Sequence, residues 1–321
     1  MMKSLLFVAL VMIQAPLHAA TWTVDNNPAR PANFQNLQDA VAAAADGDTL
    51  LIAGSNTSYG IVTLDKRLIL KGPGYFPENN VSGAAAGVAK VGAPVMTASA
   101  ASGSRFEGLE ITGSTTVAAG VSQIVFRRVR FTANLTIQGS ACMVVQTYFD
   151  GVWFTVSGDN AVIANSRISG VELTGNGITV DQCVILTGGG QMTASNLPVI
   201  RNSIIVSNLG AAGAHTAAVA FENCLGVGRL SLPVGNGNTS GLTAEQVFAS
   251  GPDTDARYRL AEASPAMGAG PGGTDLGMFG GSNPYVLSGI PALPRVTALR
   301  ADAVVPDSTG LKFEVEVEAR D

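Results

Sequence analysis

From Phe106 onward the chain repeats a six-residue frame. It holds an apolar residue, a variable one, a polar or glycine residue, a small one, another variable one, and usually a second apolar one. "VIRNSIIV" from Val199 and "VIANSRIS" from Val162 show it clearly. The frame starts at Phe106, Phe126, Val144, Ile163, Val180, Ile200 and Phe221, in steps of 20, 18, 19, 17, 20 and 21 residues. Self-similarity at a fixed period overrides local readings of helix or strand. Helical-pair repeats need about 33 residues or more, and the spacing of leucine-rich repeats is absent. Short alternating runs in a unit near 20 residues predict one rung of a parallel β-solenoid, stacked on its neighbours at about 4.8 Å.

In that arrangement the first and sixth positions point into a common core. The third position reads Gly108, Arg128, Gln146, Asn165, Gln182, Asn202 and Asn223. It is assigned to a bend, where asparagine tolerates a left-handed backbone and its amide is expected to bond to the next one along. The fourth position reads Leu109, Val129, Thr147, Ser166, Cys183, Ser203 and Cys224. Unrelated strands of a β-sandwich would not need a fixed period.

Upstream, "ANFQNLQDAVAAAADGDTLLIAG" places Asn33 as an N-cap before Leu37, Ala40, Val41 and Ala44 at helical spacing. Gly47 is expected to end the helix and "DTLLIAG" to begin a strand. With "YGIVTLDKRLILKGPG" after it, this stretch resembles the entry of the right-handed parallel β-helix, or pectin-lyase-like, superfamily. There an amphipathic helix caps the open end and a strand of the form A-x-x-G-D-T-L-x-I-x-x-G follows. The resemblance covers about residues 21–285, and "ASPAMGAGPGGTDLGMF" is similar to the closing rungs of secreted bacterial members.

The expected fold class is all-β, a right-handed parallel β-helix with an N-terminal capping helix and a short C-terminal β tail. Residues 20–287 are assigned to the solenoid and 288–321 to the tail. In the tail, Leu311, Phe313, Val315 and Val317 alternate with Lys312, Glu314, Glu316 and Glu318. That strand is predicted to pair with "VTALRADAVV" across a turn at "PDSTG".

The ends and the charge narrow the setting. Lys3, the apolar run Ser4 to Gln14 and Leu17-His18-Ala19 form a secretory signal pattern over residues 1–19. The run is about half the roughly 20 residues that a membrane span requires. A secreted, periplasmic or cell-surface location is expected, with no membrane span. Charged residues make up 13% of the chain and the net charge is −5. Nucleic-acid binding, which wants a basic face, is not expected.

Cys142, Cys183 and Cys224 are spaced 41 residues apart. Cys183 and Cys224 share a column but lie two rungs, or about 10 Å, apart, beyond disulfide reach. Cys142 belongs to another column. All three are read as core residues. Beyond the signal segment His215 is the only histidine. It is read as a loop residue, so a histidine metal site and a Ser-His triad are not expected.

Members of the resembled superfamily that cleave uronate polymers generally work on an external groove. Polysaccharide lyases there need Ca²⁺ on clustered carboxylates and an Arg or Lys base, while hydrolases need a carboxylate pair. The outward columns decide between such chemistry and simple binding. Aligning "LTIQGS", "FTVSGD" and "VELTGN" gives the outward pairs Thr136/Gln138, Thr155/Ser157 and Glu172/Thr174. This row holds one carboxylate and no cation, and it is the candidate ligand face.

Ser140, Asp159 and Asn176 follow at the next bend and are read as a side-chain ladder rather than a metal cluster. A charged column, Glu107/Arg127 and Asp181/Arg201/Glu222, is read as cross-rung ion pairs. Arg130 and Arg167, around Tyr148, remain the catalytic candidates, since arginine can meet a uronate carboxylate. Polygalacturonase motifs (adjacent Asp-Asp, Gly-His-Gly, Arg-x-Lys) and the Asp-Phe-Ile-Phe-Gly signature of pectin methylesterases are missing.

The expected function is a secreted non-catalytic β-helix presenting its polar face to polysaccharide or another surface component, without metal or cofactor. The alternative is a polysaccharide lyase, or other carbohydrate-active enzyme on uronate glycans, using Ca²⁺. Non-reducing mass analysis of the exported protein should find residues 1 to 19 or 20 removed and three free thiols. A Cys183–Cys224 bridge would overturn the rung register.

Overall fold

A computed structural model describes residues 19–76, 87–96, 98–187, 192–207, 219–251, 254–292, 294–301 and 313–318. The proposed signal segment, His215 and the tail's turn lie outside the described residues. The chain winds as an all-β parallel solenoid with three long sheets of ten, nine and seven strands. The repeating rungs visit the first sheet, then the second, then the third, and every pairing within these sheets is parallel. No helix among the described residues is long and apolar enough to cross a membrane.

Register explains the repeat. Phe106, Phe126, Val144, Ile163, Val180, Ile200 and Phe221 are successive partners on the first sheet, each at most 3% exposed. The column continues upstream through Leu70, Leu50 and Trp22. Insertions lengthen the steps from Trp22 to Leu50 and from Leu70 to Phe106, which breaks the fixed period there. The sixth positions Ile111, Phe131, Phe149, Ile168, Ile185 and Ile205 are fully buried on the second sheet. Phe131 and Phe149 stack across rungs with centroids 5.0 Å apart, and Phe106 and Phe126 with centroids 5.1 Å apart. Rung spacing thus matches ring-stacking distance, and stacking adds to burial.

All seven third-position residues adopt positive φ, from +46° at Asn165 to +65° at Gly108. The left-handed bend therefore exists as expected, but its amides do not form an Asn-to-Asn ladder. Asn202 Nδ2 donates to Asp181 Oδ1 at 2.8 Å. Asn165 Nδ2 donates to the carbonyls of Met278 and Gly280, and Gln146 Nε2 to that of Pro284. Within the column Arg128 Nε donates to Gln146 Oε1 at 2.8 Å, and the fourth position adds further rung-to-rung bonds. Thr147 N–H donates to Ser166 Oγ and Cys183 N–H to Ser203 Oγ, each at 3.0 Å. Both serine hydroxyls donate to a carbonyl two residues back. A small hydroxyl suits this place because the turned backbone leaves a buried N–H without a strand partner.

The entry helix spans Leu37–Ala43 and buries Leu37, Ala40 and Val41. Its N-cap is Asn36, which accepts from the N–H groups of Gln38 and Asp39. Asn33, the expected cap, instead binds the backbone and hydroxyl of Thr23. The helix ends at Ala44, before Gly47, and Lys66 Nζ donates to the carbonyls of Val41, Ala42 and Ala44. A cation there answers both the open carbonyls and the helix dipole. Buried Asp48 accepts from Ala20 N–H, the Trp22 indole and Ala45 N–H. Burial raises its pKa, but these donors outweigh burial and hold it below the ordinary value.

The rungs stop at Leu242. "ASPAMGAGPGGTDLGMF" does not close the solenoid as further rungs. It belongs to a strap that returns along the outside. Gly277 N–H donates to Asn202 O, Asn165 reaches Gly280, Gln146 reaches Pro284, and Arg128 donates to Ile290 O. Going up the strap therefore means going down the rungs, and Ser288 O finally accepts from Tyr75 N–H. A second apolar cluster, including Tyr75, Val184, Ile204, Leu225, Leu276 and Met278, fills the space between strap and second sheet.

Beyond the strap, Arg295–Ala301 and Phe313–Glu318 pair antiparallel, the hairpin expected for the tail. Arg300 pairs with Glu314 and Glu316, while Val315 and Val317 are exposed. The three cysteines are free and buried. Burial pushes the Cys183 thiol up to about 12 and the Cys224 thiol to about 11.

On three successive rungs the turn after the third sheet falls on a glycine, Gly139, Gly158 or Gly175, that nearly touches the rung below. A Cβ on Gly158 would lie 2.0 Å from Gly139 O, and one on Gly175 2.2 Å from Gly158 O. Gly158→Ala should therefore cost about 3 kcal/mol, read as a lower denaturation midpoint. Gly120→Ala, where a Cβ meets nothing within 4 Å, should leave the midpoint unchanged.

Candidate functional site

Two outward faces carry the candidate residues. On the second sheet Glu110, Arg130, Tyr148 and Arg167 form one column, each a register partner of the next. The structure does bring the three catalytic candidates together, but Tyr148 and Arg167 lie buried beneath the strap and Arg130 is half-buried beside them. Arg130 donates to Glu110 at 2.8 Å and to Asp150 at 2.5 Å, and its guanidinium lies 4.5 Å from the Phe76 ring centre. Burial favours its neutral form, yet the two carboxylates outweigh burial and raise its pKa.

Arg167 is 8% exposed and lies over both Tyr148 and Tyr258, at 4.9 and 5.7 Å. It donates to Phe149 O, Ser169 Oγ and Tyr258 Oη. Burial pushes the Tyr148 phenol up to about 12. A general base needs a pKa near working pH and reach to a substrate. Here the phenol stays protonated and both guanidinium groups are committed to neighbours. This column is the joint between strap and solenoid.

A groove of about 510 Å³ opens beside this joint, lined by Leu186, Val206, Phe248, Tyr258, Arg257 and Glu245 among others. It brings one carboxylate, not the flanking pair that glycoside hydrolysis uses. On the first sheet the expected Glu107–Arg127 pair does not form. Glu107 faces Lys71 at 3.6 Å and Arg128 at 3.9 Å, while Arg127 donates to Gln146. The bend draws Arg128 under the strap, and Glu107 follows that buried charge. Arg201 pairs with Asp181 at 2.9 Å and does not extend to Glu222.

The third sheet is different. Thr136, Thr155 and Glu172 are successive partners, and the column extends to Thr116 on one side and Thr193 on the other. Gln138, Ser157 and Thr174 form the parallel row two residues on. Thr136, Thr155, Glu172 and Thr174 are half-buried, and Gln138 and Ser157 are exposed. Ser157 Oγ reaches Ile137 O at 3.5 Å. Among the described residues, the other five side chains make no hydrogen bond or ion pair. One face has its charges paired and its phenol buried, and the other keeps five of six polar side chains unpaired among the described residues.

Trp153 borders this free row. It is 41% exposed and immediately precedes the strand Phe154–Val156. Its carbonyl still accepts from Leu135 N–H in the ladder, so the alternation that points Phe154 inward points Trp153 outward with Thr155. Sequence reasoning missed it because the aligned segments were started one residue later. Thr116 and Thr193 were missed because their rungs lay outside the gap-free alignment.

At the next bend Asn176 donates from its backbone and side chain to Asp159 Oδ1, as expected of a ladder. No cluster of three or more His, Cys, Asp or Glu suited to a metal occurs among the described residues. No protein-family model matches the chain, and neither does any curated protein.

Tyr285 anchors the strap. Its hydroxyl lies 2.6 Å from Tyr75 Oη and donates to buried Asp255, which also accepts from Ser288 N–H. Tyr285→Phe should cost about 1–3 kcal/mol and open residues 254–292 to limited proteolysis before the rungs. Burial raises both phenols well above their ordinary value. Their stabilising effect is thus present below about pH 10 and lost as pH rises further. The alkaline loss should be smaller in a Tyr75→Phe/Tyr285→Phe variant.

Proposed function

We propose that this chain is an exported, non-catalytic β-solenoid that presents its third sheet to polysaccharide or to another component of a cell surface. The supporting observation is the contrast between its two outward faces. Thr136, Gln138, Thr155, Glu172 and Thr174 keep their hydrogen-bonding capacity, whereas Arg130 is paired with Glu110 and Asp150, and Tyr148 and Arg167 are buried against each other and Tyr258. Hydroxyl and amide groups repeated at about 4.8 Å suit the hydroxyls of an extended glycan. Such exchange of water for sugar hydroxyls yields modest affinity per contact, with regular spacing supplying selectivity.

A pectin-lyase-like kinship and a right-handed winding belong to the same proposal. The capped entry at Asn36 to Ile52 supports the first, and the handedness rule for parallel connections supports the second. Fold kinship by itself carries no activity. The lyase alternative draws no support from the buried arginine–tyrosine column.

The test incubates the mature protein with a panel of uronate polymers, with and without Ca²⁺, and follows the absorbance of unsaturated products. A silent panel is expected, together with retention on a glycan column that Gln138→Ala/Glu172→Ala loses. Turnover abolished by Arg130→Ala or Arg167→Ala would sink the non-catalytic reading.

A further inference from the structure

We infer that Trp153 is the aromatic platform of a subsite for an uncharged pyranose ring, making the third sheet a surface for neutral polysaccharide. The inference rests on the glycan-facing reading of that sheet and adds to it a location and a ligand class. Three observations carry it. The first is the placement of the indole. Phe154 pairs with Val171, so the residue level with Trp153 on the next rung is Gly170. A Cβ on Gly170 would lie 3.3 Å from Cδ2 and Cε3 of the indole. The missing side chain gives the ring room to lie along the solenoid axis, against the neighbouring rung. Asn134, level with it on the preceding rung, accepts from Trp153 N–H at 3.0 Å and steadies the backbone.

The second observation is what surrounds the ring. Trp153 and Thr155 share an outward side and sit about 7 Å apart along the strand. Thr136 and Glu172 lie one rung, about 4.8 Å, to either side of Thr155. The indole N–H makes no hydrogen bond among the described residues. An aromatic face with a free donor, bordered by unspent hydroxyls and a carboxylate, matches a pyranose in kind. The sugar's C–H face meets the electron-rich ring, and its equatorial hydroxyls point to the polar row.

The third observation is charge. Glu172 is the only ionisable side chain among these residues, and no Lys or Arg stands in either outward row from Thr116 to Ser195. A uronate would meet a carboxylate without a cation to neutralise it. Uncharged sugars incur no such cost, and Glu172 can accept from their hydroxyls.

Trp153 is also a convenient reporter, because the chain has two tryptophans. The other, Trp22, donates its indole N–H to Asp48 at 2.9 Å and packs edge-on to Phe34. Its emission should therefore be insensitive to ligand. The test uses the mature protein in affinity electrophoresis and fluorescence titration. The probes are soluble galactomannan and mixed-linkage β-glucan, with polygalacturonate and chitosan as anionic and cationic controls.

A neutral polymer should retard the protein, shift its emission to the blue and shield it from acrylamide. These effects should persist at several times physiological salt. Trp153→Ala should weaken binding roughly tenfold or more, with Trp153→Phe intermediate. The melting temperature of each variant shows whether it is folded.

A folded Trp153→Ala with full affinity, when Gln138→Ala/Glu172→Ala loses it, would overturn the platform and leave the glycan face standing. Binding confined to polygalacturonate or chitosan and abolished by salt would overturn the neutral class. A panel silent for every polymer would overturn both the inference and the reading beneath it.

Discussion

Parallel stacking in register is the constraint from which the rest follows. Each residue sits about 4.8 Å from its own equivalents above and below, so a position is acceptable only if it packs well against copies of its kind. That condition makes columns rather than residues the units of this molecule. Inward columns become aliphatic or phenylalanine, and the rings stack because their preferred distance is close to the rung spacing. The bend column becomes left-handed throughout, from Gly108 to Asn223. Beside it, small hydroxyls bridge the N–H groups that the bend removes from the ladder. At the corner after the third sheet, Gly139, Gly158 and Gly175 let one rung approach a carbonyl of the last.

Outward columns escape packing against the core, and here the molecule divides its surface. A solenoid winding of this length leaves a wide second sheet with apolar residues such as Val184, Ile204 and Leu225 facing out. The strap covers them and satisfies itself on the bend column, where Arg128, Gln146 and Asn165 meet its carbonyls. Charges beneath it are held by partners, Arg130 between two carboxylates and Arg167 against tyrosine rings. Burial without partners would be expensive, so these groups serve the joint. The third sheet has no such cover among the described residues, and its side chains keep their valence for something else.

Much of this was legible in the sequence because columns leave a period. The seven frame starts, the left-handed bend and the thiols as core residues follow from spacing and residue type. The strap was not legible, because "ASPAMGAGPGGTDLGMF" has no period and its bonds are backbone carbonyls taken by distant side chains. That omission misled the site reading. Arg130, Arg167 and Tyr148 look exposed when only rungs are considered, yet Arg167 and Tyr148 become interior once the strap returns over them, and Arg130 is half-buried between Glu110, Asp150 and Phe76. The N-cap slipped from Asn33 to Asn36 because both asparagines precede the same apolar stripe, and only the geometry at Thr23 separates them. Trp153 was hidden by a boundary drawn one residue too late.

The central claim is that this protein meets its ligand on the third sheet and uses the second only to hold itself together. Hydroxyl-radical footprinting with and without bound neutral glycan tests it most directly, since aromatic side chains report both faces at once. Protection should appear at Trp153, with Tyr148, Tyr258 and Tyr285 oxidised equally slowly in both states. Unchanged oxidation of Trp153, with protection or release at Tyr148 and Tyr258, would contradict it and move the site beneath the strap.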